Sequence, residues 1–374
     1  MPTEPRRWRG AIVGVGGVAE QSHLPAFRDA AVAERLTISC AVDPAPAAAE
    51  RAGGLPLVPG VDRLDTSRLD FLDVTTPTAT HPLLARWALE RGLHVLCEKP
   101  VATTRAEALA LVSLAESRGR ALVPCHQQRY NPVWRRVREW LSGGALGRWH
   151  LAEIAVYRTG ADRGATGAGD APWRTRVTDG GGVLADHGTH LLYTLLDLGG
   201  MPLRLQAWTA RLAHRAYEVE DTAQVRLDFD EARAGTLFVT WAARRRETRV
   251  RIVGERGTIT WVDGALTLER DGVEEAYDLA RALDKAAYVS WFAELFATFA
   301  DTLDEGAQGA AEYRAPGALA RRAHADVVRV ATVLEAAHAS ARTGATVDVP
   351  PAPSLDVPSL LSSLPPARVG VTVE

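Results

Sequence analysis

The segment Cys97–Pro100 holds a lysine in a position that suits proton transfer. Glu98 and Lys99 follow an apolar stretch predicted to be a β-strand, and open α/β sheets bind ligands at the carboxyl ends of their strands. Only two of the 43 lysine and arginine residues are lysine, and a buried lysine, unlike arginine, can lose its proton. Because desolvation lowers a lysine pKa towards the catalytic range, we predict that Lys99 hydrogen-bonds a substrate oxygen. The alternative is a surface Lys–Glu pair.

A second motif, the three glycines at 180–182 followed by Asp186 and His190, could supply a base. If this segment is helical, Asp186 and His190 are four residues apart and share a face. A carboxylate beside an imidazole orients it and raises its basicity, which suits removal of an alcohol proton. His187 lies about 100° further around the helix and is predicted to lie outside that pair. The alternative is a helix cap and a core histidine.

The loop after the first predicted strand fits the dinucleotide-binding pattern G-x-G-x-x-A. Its residues are Gly14, Val15, Gly16, Gly17, Val18 and Ala19. The first glycine permits the tight turn, and the second lets the backbone approach a pyrophosphate. The small residue at the end permits close packing of helix on strand. The phosphates would lie at the helix N-terminus. An ordinary turn is the alternative.

Asp43 ends the second predicted strand, in the place of the acid that binds the ribose in such sites. A carboxylate there accepts hydrogen bonds from the 2′-hydroxyl and repels a 2′-phosphate, so we expect NAD rather than NADP. The alternative is a helix cap before Pro44. We expect no metal, because hydride transfer to NAD needs none, although Asp186, His187 and His190 could in principle ligate one.

Further polar residues follow other predicted strands or lie in loops. The remaining predicted cofactor contacts are Thr76, Pro77, His81, Glu98 and Lys99. The predicted substrate contacts are Lys99, Arg129, Tyr130, Trp173, Arg174, Asp186, His187 and His190. Capping of helices or anchoring of a loop is the alternative role for Thr76, Arg129 and Trp173.

Strand and helix patterns alternate up to about residue 126, which predicts a doubly wound parallel sheet. The predicted strands are residues 8–14, 36–42, 69–75, 93–97 and 122–125, with helices at 81–91 and 103–118. We therefore assign residues 1–126 to a Rossmann domain that binds NAD.

The remainder of the chain has a different pattern. Extended segments that alternate polar and apolar residues predict a largely antiparallel sheet with one covered face. They are residues 149–158, 203–212, 222–229, 234–242, 248–253, 258–262 and 266–269, with helices at 132–142, 186–198, 288–303 and 316–341. We assign 127–349 to a substrate-binding and oligomerisation domain and 350–374 to a proline-rich tail. The glycine-rich run 160–182 is long enough to predict a functional loop.

Composition excludes several classes of protein. The 374 residues are 47% hydrophobic and carry a net charge of −3, which argues against disorder and against binding to nucleic acid or an anionic membrane. Apolar runs stay short of the roughly 20 residues of a membrane span. The first residues lack the apolar stretch of a signal peptide. The three cysteines form no metal or disulfide pattern. We expect a cytoplasmic protein.

Together these motifs resemble the glucose–fructose oxidoreductase, inositol dehydrogenase and MocA family. The matches are Gly14–Ala19, Asp43, Thr76 and Pro77 with His81, Glu98–Pro100, Arg129–Pro132, Trp173 and Arg174, and Gly180–Gly182 followed by Asp186 and His190. The resemblance implies an N-terminal Rossmann domain and a C-terminal α+β domain with an open, mainly antiparallel sheet. That sheet would join the subunits of a homodimer or homotetramer. The resemblance also implies a catalytic set of Lys99, Asp186 and His190.

The expected activity is an NAD-dependent dehydrogenase for a secondary alcohol of a sugar, cyclitol or related polyol. His190 would take the hydroxyl proton, with Asp186 orienting it and Lys99 bonding the same oxygen. Two alternatives are an NAD-using glycosidase that oxidises its substrate transiently and an NAD-binding regulator without turnover. The intact Glu98–Pro100 segment counts against the first, and retention of the catalytic set counts against the second.

Overall fold

The structure is a computed structural model that describes residues 7–161, 173–307 and 316–352. Much of the predicted functional loop (residues 162–172) and most of the predicted proline-rich tail (353–374) lie outside the described residues. Among the helices that the structure describes, none is long and apolar enough to cross a bilayer.

Six parallel strands form the first sheet, in the order β3-β2-β1-β4-β5-β6. They are β1 (Trp8–Val13), β2 (Leu36–Val42), β3 (Leu57–Val58), β4 (Phe71–Val74), β5 (His94–Cys97) and β6 (Leu122–Pro124). Every residue of β4, β5 and β6 is buried, as expected when helices cover both faces. The prediction of a doubly wound parallel sheet is confirmed; only the two-residue β3 had no sequence signal.

Helices connect these strands, and their ends follow local sequence. They are α1 (Leu24–Phe27), α2 (Ala30–Ala33), α3 (His81–Glu90) and α4 (Arg105–Ser117). The Oγ1 of Thr104 accepts the backbone N–H of Glu107 at 3.3 Å, and the Glu107 carboxylate lies 3.1 Å from the same hydroxyl. The Thr104 hydroxyl therefore satisfies one backbone donor at the start of α4, which begins at Arg105, two residues after the predicted start.

Nine strands form the second sheet, in the order β14-β13-β12-β11-β7-β10-β9-β8-β15. They are β7 (Trp149–Tyr157), β8 (Arg204–Ala210), β9 (Thr222–Asp228), β10 (Ala234–Thr240), β11 (Glu247–Gly254), β12 (Gly257–Val262), β13 (Ala265–Arg270), β14 (Val273–Asp278) and β15 (Val347–Asp348). Among the strands that the structure describes in this sheet, only β7 and β10 pair in parallel, so the prediction of a mainly antiparallel sheet is confirmed. The largely polar β14 was missed, because it lacks buried alternation.

The helices of the second half pack against both sheets. They are α5 (Pro132–Ser142), α6 (Thr189–Gly199), α7 (Lys285–Ala307) and α8 (Ala318–Thr343). Phe292 and Phe296 of α7 join the core beside the first sheet, whereas Val328 and Val333 of α8 enter the cores of the first and second sheets respectively. The two sheets therefore share helices, and the domain boundary at residue 126 stays a prediction.

Candidate functional site

The glycine loop presents an open backbone surface at the end of β1. Gly14 has φ +89°, and a Cβ there would lie 2.7 Å from Thr76, so the position requires glycine. At Gly16 a Cβ would meet no atom within 4 Å, which leaves space for a ligand against the backbone. A helical turn begins at Ala19, which is fully buried in the hydrophobic cluster that includes Ile12 of β1. Val18 caps this turn without a side-chain hydrogen bond. This cradle fits a dinucleotide pyrophosphate.

Asp43 lies beside this loop, half-buried at the end of β2. Its carboxylate accepts the backbone N–H of Val15 at 2.8 Å and that of Ala45 at 2.9 Å. The bond from Val15 ties the carboxylate to the glycine loop. The bond from Ala45 is the helix cap before Pro44 that the sequence offered as the alternative role of Asp43. Since a carboxylate has about four lone-pair sites, these two bonds leave acceptors for a ribose.

The Thr76–His81 segment lies between the glycine loop and the Lys99 segment. Nδ1 of His81 lies 2.8 Å from the carbonyl oxygen of Pro100, and Nε2 lies 2.8 Å from that of Thr76. The ring is 1% exposed, and burial lowers its pKa. The His81 ring therefore braces the two segments from inside, and its cofactor contact, like those of half-buried Thr76 and Pro77, stays a prediction.

Behind Lys99 lies a buried charge network that the sequence analysis missed. His23 Nδ1 lies 2.9 Å from Asp73 Oδ2, and its Nε2 lies 3.1 Å from Glu98 Oε1. Burial alone would lower the pKa of His23, but the two carboxylates, Asp73 foremost, raise it to about 9. His23 is thus an imidazolium at neutral pH. Glu98 is also engaged internally, because its other oxygen accepts the Lys99 backbone N–H at 3.2 Å, and its cofactor contact stays a prediction.

The same network contains a group of potential metal ligands, formed by His23, Glu98 and Cys125. Both ring nitrogens of His23 already face carboxylates. A metal would have to displace those contacts, so the geometry favours an ion-pair network over a metal centre.

Lys99 and Asp186 meet although they come from different halves of the chain. Lys99 Nζ donates to Asp186 Oδ1 and to its backbone oxygen, both at 2.8 Å. Arg174 Nε donates to the other carboxylate oxygen at 3.0 Å. Burial by itself raises the pKa of Asp186, but Lys99 and then Arg174 outweigh that effect and hold it well below its usual range. The carboxylate is therefore a permanent anion shared by two cations.

The partner of Asp186 among the histidines is His187. Its Nδ1 lies 3.1 Å from Asp186 Oδ2, and the indole N–H of Trp241 donates to the same nitrogen at 3.1 Å. The prediction that His187 lies outside the pair was wrong. Residues Leu184–Gly188 form a π-helical turn, in which the angular positions of an α-helix no longer apply.

His190 lies at the start of α6 and contacts a different residue. Its Nδ1 lies 3.1 Å from the hydroxyl of Tyr193, and that hydroxyl accepts the backbone N–H of Gln128 at 3.0 Å. Tyr193 is 1% exposed. Its i, i+3 spacing from His190 on a helix is the one sequence signal for this contact, but tyrosines at that spacing are common in helices and the residue was missed.

Arg129 and Tyr130 are both engaged inside the protein. The Arg129 guanidinium donates to both oxygens of Asp197 at 2.7 Å and to Asp326 at 2.6 Å, and Tyr130 packs into the core beside α7. Their substrate contacts stay predictions, and neither residue lines the cavity described next. The neighbouring Gln128 does line that cavity.

A cavity of about 920 Å³ lies between the second sheet and helices α5, α6 and α7. It contains His187 and His190 and reaches Gln21 and Ser22, just after the glycine loop. Its other walls mix polar and aromatic side chains. They include Gln128, Asn131, Trp134, Arg158, Trp261 and Trp291. Such walls can both hydrogen-bond and stack on a polyhydroxylated ring.

Trp173 is the first residue that the structure describes after the long loop, and the guanidinium of Arg174 lies 4.5 Å from the centroid of its ring.

The fold and this site are those of a dinucleotide-binding oxidoreductase. Residues 8–126 match the family model described as "Oxidoreductase family, NAD-binding Rossmann fold", and residues 134–260 match the "GFO/IDH/MocA C-terminal domain". The chain belongs to the GFO/IDH/MocA family.

Individual relatives are moderately similar. D-apiose dehydrogenase of Paraburkholderia graminis is 28% identical over 264 residues, covering 69% of this chain and 68% of that protein. A putative UDP-kanosamine synthase oxidoreductase subunit of Amycolatopsis mediterranei is 31% identical over 274 residues, covering 67% and 74%. The crystal structure of the Bordetella pertussis WlbA dehydrogenase with NADH and UDP-GlcNAcA superposes with a TM-score of 0.75 at 24% identity, covering 93% and 99%.

The His23 network predicts a pH-dependent stability. His23 has a folded-state pKa of about 9 against 6.5 when unfolded, so its stabilisation is complete below pH 6.5 and is lost as the pH rises through 9. The shift corresponds to about 3 kcal/mol. We expect His23→Gln to lower the melting temperature at pH 7 and to flatten its decline up to pH 10, measured by calorimetry. Exposed His150→Gln is the control; a parallel decline in wild type and His23→Gln would contradict the assignment.

The Arg129 cluster predicts a loss of stability without a change in substrate affinity. Arg129→Met leaves the buried carboxylates of Asp197 and Asp326 without their shared cation, which costs about 3–5 kcal/mol. Arg135→Met, which removes an exposed pair with Glu294, costs under about 1 kcal/mol. Urea unfolding measures both. A stable Arg129→Met protein with a raised KM would instead support the substrate-binding prediction.

Proposed function

We propose that this chain is an NAD-dependent oxidoreductase that acts on a secondary alcohol of a sugar, cyclitol or related polyol. The observation that carries the proposal is the buried pair of Lys99 Nζ and Asp186 Oδ1, 2.8 Å apart, which joins the end of β5 to the turn that precedes α6. The cavity that contains His187 and His190, the neighbours of Asp186 in sequence, also reaches Gln21 and Ser22 just after the glycine loop.

The cofactor would be held by the loop at Gly16 and Gly17 and by Asp43 at the end of β2. When bound, its nicotinamide supplies the acceptor or donor of a hydride. Asp43 supports NAD over NADP, because a 2′-phosphate would approach a carboxylate whose backbone partners are neutral N–H groups. Half-buried Thr76 and Pro77 would lie against the nicotinamide end, beside the Lys99 segment.

Lys99, Asp186 and His190 would handle the proton that leaves or enters the substrate hydroxyl. Asp186 holds Lys99 through two bonds from Nζ, which leaves one ammonium proton for a ligand. Relatives named for D-apiose and for UDP-kanosamine and the mixed polar and aromatic cavity support a sugar or polyol as substrate.

Two other activities make different predictions. An NAD-using glycosidase would release an aglycone without net NADH, and an NAD-binding regulator would bind both ligands without turnover. Net NADH formation with a panel of sugars, inositols and sugar nucleotides separates all three. The buried Lys99–Asp186 pair favours an oxidoreductase with net turnover over both alternatives.

The open face of the second sheet would join subunits into a homodimer or homotetramer. Trp208 on β8 is 49% exposed, and the rings of Tyr157 on β7 and Phe238 on β10 pack at a tilt, 5.4 Å apart. Aromatic side chains with arginines are enriched at interfaces, and Arg226 and Arg249 project from the same face. Equilibrium sedimentation of Trp208→Glu, compared with wild type, tests this interface.

Loss of Lys99 should abolish turnover and spare cofactor binding. Lys99→Met and Lys99→Arg remove the amine that can exchange a proton, so kcat should fall roughly 10²–10⁴-fold in both. NADH absorbance gives kcat, and thermal shift with NAD gives binding. Arg118→Met, at an exposed position after α4, should behave as wild type. Near-normal turnover in both Lys99 variants would sink the assignment.

Replacement of Asp43 should change cofactor preference. Asp43→Ser keeps a short acceptor for the Ala45 N–H but removes the charge that repels a 2′-phosphate. We expect KM for NAD to rise about tenfold or more and the ratio of NADP to NAD efficiency to rise. Exposed Asp62→Ser is the control. An unchanged preference would show that Asp43 acts only as a local cap.

A further inference from the structure

The hydrogen bonds of Tyr193 determine where its hydroxyl proton points. The hydroxyl oxygen lies 3.0 Å from the backbone nitrogen of Gln128 and 3.1 Å from Nδ1 of His190. A backbone N–H can only donate, so Gln128 uses a lone pair of the oxygen. In the part of the chain that the structure describes, these are the two hydrogen-bond partners of the hydroxyl. Its single proton therefore points to His190 Nδ1.

The protonation of His190 follows from this bond. A ring nitrogen that accepts a hydrogen bond carries no proton, so Nδ1 is the bare nitrogen and the neutral ring carries its proton on Nε2. We propose that Tyr193 is a positioning residue that holds His190 as the Nε2–H tautomer, so that His190 donates a hydrogen bond to the substrate oxygen instead of taking its proton. This inference rests on the proposed function and divides the roles within its catalytic set.

The surroundings of Tyr193 keep this arrangement in place. The ring of His126 stacks on it at 4.1 Å and 19°, and the Arg129 guanidinium lies 5.8 Å from its centroid. Asp197 and Tyr288 are the other titratable groups that act on it, and burial raises the pKa of Tyr193 well above its usual range. The burial also lowers the pKa of His126 far below its usual value, so the stacked ring is neutral.

Conversion of His190 to an imidazolium would break this pattern. A proton on Nδ1 would force the Tyr193 hydroxyl proton to turn away from it, into a buried site without another acceptor among the described residues. A buried donor without a partner is costly, so Tyr193 disfavours the charged ring. A neutral histidine that polarises an oxygen is a known catalytic arrangement.

The proton of the substrate hydroxyl then needs another acceptor, and Lys99 is the remaining group of the set. In oxidation, the substrate O–H bond breaks and an N–H bond forms at Lys99 Nζ, while the hydride leaves the carbon as described above. In reduction, the Lys99 ammonium returns that proton to the oxygen. Arg174 keeps the Asp186 carboxylate paired in both states. This division differs from the sequence-based expectation, in which His190 takes the proton.

The first test is direct and needs no turnover. Ring ¹⁵N shifts in histidine-labelled protein distinguish the two tautomers, and the His190→Gln variant identifies the signal. We expect His190 to be protonated at Nε2 in the wild type and to lose this preference in Tyr193→Phe, which keeps the ring and its stacking. Tyr277→Phe, on β14 beside Trp140, is the matched control. An Nδ1–H signal in the wild type would overturn the proposal even if the enzyme is active.

The second test separates hydrogen-bond donation from proton transfer. In Tyr193→Phe we expect kcat to fall about tenfold, KM to change less than threefold and a new ionisation to enter the kcat profile between pH 6 and 8. His190→Gln, whose amide N–H can still donate, should retain more activity than Lys99→Met. An unchanged pH profile in Tyr193→Phe, or a His190→Gln variant as inactive as Lys99→Met, would refute the proposal. Absence of turnover in the wild type would instead refute the proposed function.

Discussion

The buried carboxylate of Asp186 is the point on which the site depends. It comes from the second half of the chain, yet it is held by Lys99 from the end of β5 and by Arg174 from the long loop. A buried charge without partners is strongly unfavourable, so these three side chains have to assemble together. Their contact draws the turn before α6 onto the edge of the parallel sheet. The cavity that begins at His187 and His190 reaches Gln21 and Ser22, just after the glycine loop.

A second buried charge network supports the same lysine from behind. His23, placed on the turn after the glycine loop, lies between Asp73 of β4 and Glu98 at the end of β5. Phe292 and Phe296 of α7 pack against its ring, so water is kept from the ions. Through Glu98 and the Lys99 backbone N–H, the network joins the turn after the glycine loop to the Lys99 segment.

Much of the fold could be predicted from local patterns. The boundaries of β2 and α5 matched the predictions because apolar runs and a capping Asn131 mark them locally. The three strands that were missed, β3, β14 and β15, are short or polar and exist through pairing with neighbours. The glycine loop was recognisable because its spacing reflects backbone requirements, such as the positive φ of Gly14, that no other residue meets as easily.

The sequence by itself determined the parallel sheet, the dinucleotide loop and the candidacy of Lys99, Asp186 and His190, because each depends on residue type and short-range spacing. Only the tertiary structure decided which charges meet. His187 rather than the i+4 residue contacts Asp186 because a π-helical turn alters the helical angles. Arg129 turned inwards because two aspartates about 70 and 200 residues away form its partners. Partners that distant leave no periodic signal, so the ion pairs, the His23 network and the Tyr193 bond emerge only when the chain is folded.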